Sequence, residues 1–275
     1  MNNRLDATFK KLKAEKRAAL VTFVTATYPD QKTSMALIKE LPAAGADILE
    51  IGMPFTDPSA DGPAIDNAAQ HALKAGASME KTFEIVENFR STNTTTPIVL
   101  MGYFNPIHAY GLERFVTDAA TFGVDGLIIV DLPPEEDKTL RLAANAAGIH
   151  FVRLATPTSL GERLQTIIKD ASGFIYYVAV AGITGGKSAT QNDIQNAIET
   201  IKKHTDIPVV VGFGIKNSTH AEAIANHADG AVVGTAIIDI IAQNLDKNGH
   251  AKPNLVNQTL DFVRDLAKGV ALAKK

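Results

Sequence analysis

Glu50 and Asp61 are the two side chains whose types and spacing best fit proton chemistry. They bracket Leu49-Glu50-Ile51-Gly52-Met53-Pro54-Phe55-Thr56-Asp57-Pro58-Ser59-Ala60-Asp61-Gly62-Pro63, where an apolar run gives way to turn-forming residues. Ala46 to Gly52 reads as a buried strand, so a glutamate within it either ionises at high cost or keeps its proton until a reaction takes it. Asp61 stands in polar turn company, where a carboxylate stays ionised. One group that trades protons beside one that stays negative is an acid/base pair. Each residue also has a structural reading: Glu50 as an ion-paired strand residue, Asp61 as a turn cap beside Gly62 and Pro63.

The elements that must position this pair follow from hydropathy. From Leu20 onward, short apolar runs alternate with longer segments of helical period, and eight strands are expected, starting near Leu20, Ile48, Ile98, Gly126, His150, Phe174, Pro208 and Gly230. Most run apolar on both faces, as in Ile98-Val99-Leu100-Met101 and Leu127-Ile128-Ile129-Val130, which is the pattern of parallel strands covered by helices. Eight such units in 275 residues predict an α/β protein folded as one (β/α)8 TIM barrel over residues 1–275, since barrels of this size are routinely one domain. A doubly wound sheet, the alternative, normally uses fewer strands. Leu5, Phe9 and Leu12 recur at helical spacing and predict an extra N-terminal helix. Ser91 to Pro97 is the most loop-like stretch.

Composition excludes several function classes. With 45% hydrophobic and 21% charged residues the chain can bury a sizeable core, and a formal charge of -3 lacks the basic footprint of a nucleic-acid binder. The absence of cysteine removes disulfides, thiolate metal sites and a cysteine nucleophile. The seven histidines show no metal-ligand spacing, so no metal site is expected, and no Gly-x-Ser-x-Gly elbow is present. The N-terminal segment has no apolar core of signal-peptide length and no run reaches membrane-spanning length, which makes a cytoplasmic location without membrane contact the expectation.

Active sites of such barrels form at the carboxyl ends of the strands. Those ends offer Thr25, then Glu50 with Asp61, then Tyr103 and Asp131, and later a series of glycine-rich loops. Val211-Gly212-Phe213-Gly214-Ile215 and Val233-Gly234-Thr235-Ala236 lie after the seventh and eighth strands, where glycine lets the backbone approach an anion and a helix start favours negative charge. Taken singly, either could be a tight turn. Ala181-Gly182-Ile183-Thr184-Gly185-Gly186-Lys187-Ser188 approaches a P-loop, but Ala181 stands where the first glycine belongs. This segment reads equally as a substrate lid or as a flexible connection. Tyr103 and Tyr176 fit either core packing or a pocket for an aromatic ligand.

Together, Leu49 to Pro63, Met101-Gly102-Tyr103-Phe104-Asn105-Pro106-Ile107, Asp131-Leu132-Pro133, Gly182-Ile183-Thr184-Gly185 and Gly212-Phe213-Gly214-Ile215 closely resemble the tryptophan synthase α subunit family, in order and over nearly the whole chain. The resemblance implies a lyase that splits indole-3-glycerol phosphate into indole and glyceraldehyde 3-phosphate. It further implies no cofactor in this chain and an α2β2 complex with a β subunit that carries pyridoxal phosphate. Carried to matching positions, it makes Glu50 the acid/base and Asp61 the group facing the indole nitrogen. Gly185, Gly214, Gly234 and Thr235 would hold the phosphate, and Phe23, Leu100, Tyr103, Tyr176 and Phe213 would surround the indole and glycerol. Thr184 would sit on a closing loop and Asp57 on a loop facing the β subunit. Two places depart from the family pattern: Thr27-Tyr28-Pro29 replaces the usual Gly-Asp-Pro, and Ala181 occupies a commonly polar position.

Two rivals stand beside this reading. Indole-glycerol-phosphate synthase shares late phosphate loops but needs a catalytic lysine within the strands, and the expected strand interiors contain none. A non-catalytic sensor of a phosphorylated ligand has no use for a buried carboxylate that is costly to ionise.

Overall fold

The computed structural model describes residues 3–179, 190–212 and 214–273. Helix α1 (Arg4–Ala14) is followed by β1 (Ala19–Thr25), α2 (Gln31–Glu40), β2 (Ile48–Gly52), α3 (Pro63–Lys74), α4 (Met79–Arg90), β3 (Ile98–Gly102), α5 (Phe104–Tyr110), α6 (Leu112–Phe122) and β4 (Gly126–Ile129). Then come α7 (Lys138–Ala146), β5 (His150–Ala155), α8 (Glu162–Lys169), β6 (Ile175–Val178), α9 (Gln191–Lys202), β7 (Val209–Gly212), α10 (Ser218–Ala225), β8 (Gly230–Val233), α11 (Thr235–Gln243) and α12 (Leu255–Leu272). The strands pair in sequence order, all parallel, and β8 closes on β1. This is the expected (β/α)8 barrel, each strand starting within one residue of its expected position.

Alternation along the strands sorts side chains into two cores. Ala19, Val21, Ile48, Val99, Ile128, Val152, Phe174, Val210 and Val232 fill the barrel. Their neighbours, such as Leu20, Leu49, Ile98, Leu100, Leu127 and Val211, face the helices. Helix α1 closes the amino end of the barrel with Leu5, Phe9 and Leu12, the three residues of its predicted apolar face, and the Phe9 ring lies 6.0 Å from that of Phe174. Burying each such side chain stabilises the fold by about 1.5–3 kcal/mol.

At this amino end a motif repeats around the barrel. The residue just before or near each even strand accepts a hydrogen bond from the backbone N–H opening the preceding odd strand. Asp47 receives Leu20 at 2.8 Å, Asp125 receives Ile98 at 2.8 Å, the Ser172 hydroxyl receives Phe151 at 2.9 Å and Asp229 receives Val209 at 2.9 Å. Each brace joins two consecutive β/α units. The fold is therefore pinned at its base, which frees the opposite end to carry loops.

After β1, Thr27 adopts a left-handed φ of 64°. That conformation costs a residue with a Cβ roughly 1–2 kcal/mol, which is why glycine is favoured there. Local bonds offset it: the Thr27 N–H donates to the Ser34 hydroxyl at 3.2 Å and the Thr27 hydroxyl to Gln31 at 2.7 Å.

Candidate functional site at the carboxyl ends of the strands

Glu50 sits in the middle of β2, in register with Phe23 of β1 and Val99 of β3, on the face that points into the barrel. It is 1% exposed, and its Oε2 has no hydrogen-bond partner among the described residues. Burial, reinforced by the negative charge of Asp61, pushes its pKa up from 4.5 to about 8. No cation pairs with it among the described residues, so the ion-paired structural reading is not what this geometry contains.

Asp61 reaches the same region from the loop between β2 and α3, where its own N–H closes a turn onto the Pro58 carbonyl at 3.0 Å. Its carboxylate is half-buried, and the Tyr103 hydroxyl is near enough to favour its charged form. Burial is the largest influence on it; Tyr103 pulls the other way, Asp66 in the first turn of α3 adds to the rise, and the pKa settles at about 6. Burial thus raises both carboxylates in this mouth, Glu50 further than Asp61.

Tyr103 plays a part that its sequence context did not signal. Close to Asp61, its oxygen accepts the Ala60 N–H at 2.9 Å, and its ring lies 5.4 Å from that of Phe55. One side chain at the end of β3 therefore pins the loop after β2. No local pattern could have shown this, because the two segments meet only through barrel closure.

Glycines make room for the rings in the mouth. A Cβ at Gly52 would lie 2.7 Å from the Phe23 ring, one at Gly234 3.3 Å from the same side chain, and one at Gly212 2.7 Å from the Tyr176 oxygen. Phe23 is buried between two strands that both give way to it. Tyr176 stands close enough to Glu50 for the carboxylate to add to the rise of its pKa. A cleft between β1, β2, β3 and α3 is lined by Phe23, Thr25, Asp61, Ile65, Met101 and Tyr103, among others.

One expected ring contact is corrected. Leu100 is fully buried but faces the helices, since alternation in β3 turns Val99 and Met101 inward. Met101 is the residue of that pair in the cleft.

On the late strands, Gly234 precedes α11, whose first turn has no side-chain cap; the Ile237 N–H bonds the Gly234 carbonyl at 2.9 Å, and those of Thr235 and Ala236 are left to meet an anion. Thr235 is exposed at that helix start. Gly214 has a φ of 51° and open space where a Cβ would project. Asp57 is exposed at the rim, where the Thr56 hydroxyl bonds it at 2.5 Å and the Gln70 amide holds the Thr56 carbonyl at 3.0 Å. Thr184, Gly185, the remainder of the P-loop-like segment and Phe213 lie outside the described residues. Size alone does not single out this region. A larger cavity, about 900 Å³, opens at the base of the barrel beside α1, between Lys10, Lys13 and Pro208.

Similarity to known proteins covers the same elements. The family model for the tryptophan synthase alpha chain matches residues 9–269. Tryptophan synthase subunit alpha from Legionella pneumophila str. Paris is 33% identical, with 98% of this chain and 99% of that one covered and a TM-score of 0.90. A protein from Aquifex aeolicus VF5 is 37% identical, covering 97% and 98%, with a TM-score of 0.87. Tryptophan synthase from M. tuberculosis, in an open form with BRD0059 bound, is 31% identical over 99% and 100%, with a TM-score of 0.87.

Proposed function

Given that the chain belongs to the tryptophan synthase alpha chain family, we propose that Glu50 and Asp61 divide between them the proton transfer and charge stabilisation of its lyase reaction. The reaction cleaves indole-3-glycerol phosphate to indole and glyceraldehyde 3-phosphate. The family's alpha chain carries no cofactor of its own; pyridoxal phosphate resides in the β subunit with which the family forms its complex.

Cleavage needs a proton on indole C3, stabilisation of the indolenine cation that results, and removal of the proton from the glycerol hydroxyl that becomes the aldehyde. Glu50, neutral at pH 7, gives its proton to C3. The bond from C3 to the glycerol carbon then breaks, its electron pair restoring the indole ring, and the Glu50 carboxylate takes the hydroxyl proton. The glutamate returns to its starting state within one turnover. Asp61, ionised throughout, accepts the indole N–H and offsets the cation charge. The observation that carries this reading is Glu50 itself: inward-facing in β2, 1% exposed, with an Oε2 that has no partner among the described residues, and with Asp61 close enough for its charge to act on it.

Phe23, Met101, Tyr103 and Tyr176 support an aromatic binding wall by their position at the mouth. Phe213 completes it in this reading. Gly214, Gly234 and Thr235, with Gly185, hold the phosphate, supported by the uncapped start of α11. Thr184 belongs to the loop that closes over the substrate. The exposed Asp57 rim faces the β subunit, in an α2β2 assembly formed in the cytoplasm by residues 1–275 acting as one domain. Among the described residues no helix is long and apolar enough to cross a membrane.

Asp61→Asn tests the division of labour. It keeps shape and turn geometry but removes the charge, so kcat and kcat/KM should fall together by about 10²-fold, with the melting temperature little changed. Wild-type turnover with asparagine at position 61 removes Asp61 from the mechanism.

A further inference from the structure

Thr25 ends β1 on the face that points into the barrel, two positions beyond Phe23. It is 3% exposed, and its hydroxyl has no hydrogen-bond partner among the described residues. The hydroxyl belongs to the cleft that Asp61, Tyr103 and Met101 also line. Its register partner is Gly52, so no side chain from β2 comes between Thr25 and the loop that carries Asp61. A valine would fill this strand position with the same shape and no desolvation cost; a buried hydroxyl without a partner costs about 1–3 kcal/mol. Asp61, for its part, has acceptor capacity to spare, since a carboxylate offers about four lone-pair sites and the Tyr103 hydroxyl is the one donor acting on it among the described residues.

We infer that Thr25 is a positioning residue for Asp61: in the substrate complex its hydroxyl donates to the Asp61 carboxylate and holds it against the indole N–H. The inference rests on Asp61 being the acceptor of that N–H. The carboxylate is then gripped from two strands, by Tyr103 at the end of β3 and by Thr25 at the end of β1. The charged and titratable groups facing it are Glu50 from β2, Asp66 from α3 and Tyr103 from β3. None of them is a cation, so hydroxyl donors are the means by which the described residues can hold its charge. Thr22 provides an internal control. It too is buried with a partnerless hydroxyl on β1, but it points to the opposite face of the strand, away from the cleft.

The test is Thr25→Val, Thr25→Ser and Thr22→Val, with Thr25→Val also combined with Asp61→Asn, in the purified chain turning over indole-3-glycerol phosphate. Thr25→Val should lower kcat by about 10-fold, the scale of one hydrogen bond to a charged group, while the melting temperature stays level or rises. Thr25→Ser should recover most of the rate, and Thr22→Val should leave it unchanged. Because the bond forms in the substrate complex, Thr25→Val should move the acid limb of kcat to higher pH and leave that of kcat/KM in place. In the Asp61→Asn background the Thr25→Val loss should vanish. An equal loss in both backgrounds, or failure of serine to rescue, overturns the inference with the Asp61 reading intact. Full activity of Asp61→Asn alone overturns the Asp61 reading instead.

Discussion

At the amino end of the barrel Asp125, 2% exposed, receives the Arg4 and Arg90 guanidiniums at 2.9 and 2.7 Å and the Ile98 N–H at 2.8 Å, whereas at the carboxyl end Glu50, 1% exposed, has an oxygen with no partner among the described residues. Burial is the same; partnership is opposite. Asp47 and Asp229 repeat the pattern of Asp125, each bonded to a basic side chain and to a strand N–H. Thr25 repeats the pattern of Glu50. The amino end spends its buried polar groups on holding strands together. In the mouth itself the Glu50 Oε2 and the Thr25 hydroxyl are left without partners among the described residues, whereas Thr27 and Asp137 at the same end are bonded. Burial of a charge therefore does not mark function; a partnerless polar atom in the mouth is the feature that fits a ligand or transition state.

The comparison can be broken most forcefully at Asp125. Asp125→Ala strands two guanidiniums and a strand N–H, and should cost about 3–5 kcal/mol of folding stability in a denaturant titration. The protein that remains folded should keep its KM and kcat. A large kinetic defect in the folded fraction would mean that the two ends are not separable.

Glu50→Gln is the reverse experiment. Turnover should drop by about 10²-fold or more while the fold is retained. The folded state keeps the Glu50 proton between 4.5 and about 8, whereas the unfolded chain loses it above 4.5. The unfolded state then binds fewer protons, so this group makes stability fall as pH climbs through that window. The melting temperature of Glu50→Gln relative to wild type should accordingly improve from pH 5 to pH 8. A constant or shrinking difference contradicts a protonated Glu50.

Wild-type kinetics sharpen the same contrast without mutation. Activity requires Asp61 ionised and Glu50 protonated, so kcat/KM should be bell-shaped, falling below about pH 6 and above about pH 8. A profile flat from 5 to 9 leaves neither carboxylate in its role.

The mildest effect is expected at Gly214, where a side chain meets open space and aspartate tolerates the left-handed backbone. Gly214→Asp should weaken binding of glyceraldehyde 3-phosphate by charge repulsion and leave indole binding less affected, as calorimetry with each ligand would read. Equal losses would point to damage of the barrel mouth.

Much of this molecule could be read from the chain. Strand starts, the apolar face of α1 and the carboxylate pair depend on hydropathy and turn chemistry over a few neighbouring residues, and those interactions are local. Leu100 and Met101 show where locality fails. Both are apolar in an apolar strand, and only the phase of the strand against its neighbours decides which one faces the cleft. Tyr103 was legible as an aromatic at a strand end but not as the tether of Ala60 and Asp61, because its partners arrive through a different β/α unit.

The sequence by itself determined that eight strands alternate with helices and that a glutamate is buried beside an aspartate in a turn, since periodicity and residue polarity act over short range. Closure of the barrel decided the rest: the four braces at its base, the meeting of Thr25, Asp61 and Tyr103 in one cleft, and the separation of two carboxylates to about 8 and about 6. A pKa depends on what surrounds a charge in three dimensions, and for Glu50 and Asp61 those surroundings come from β1, β3 and α3, which the chain brings together only by folding.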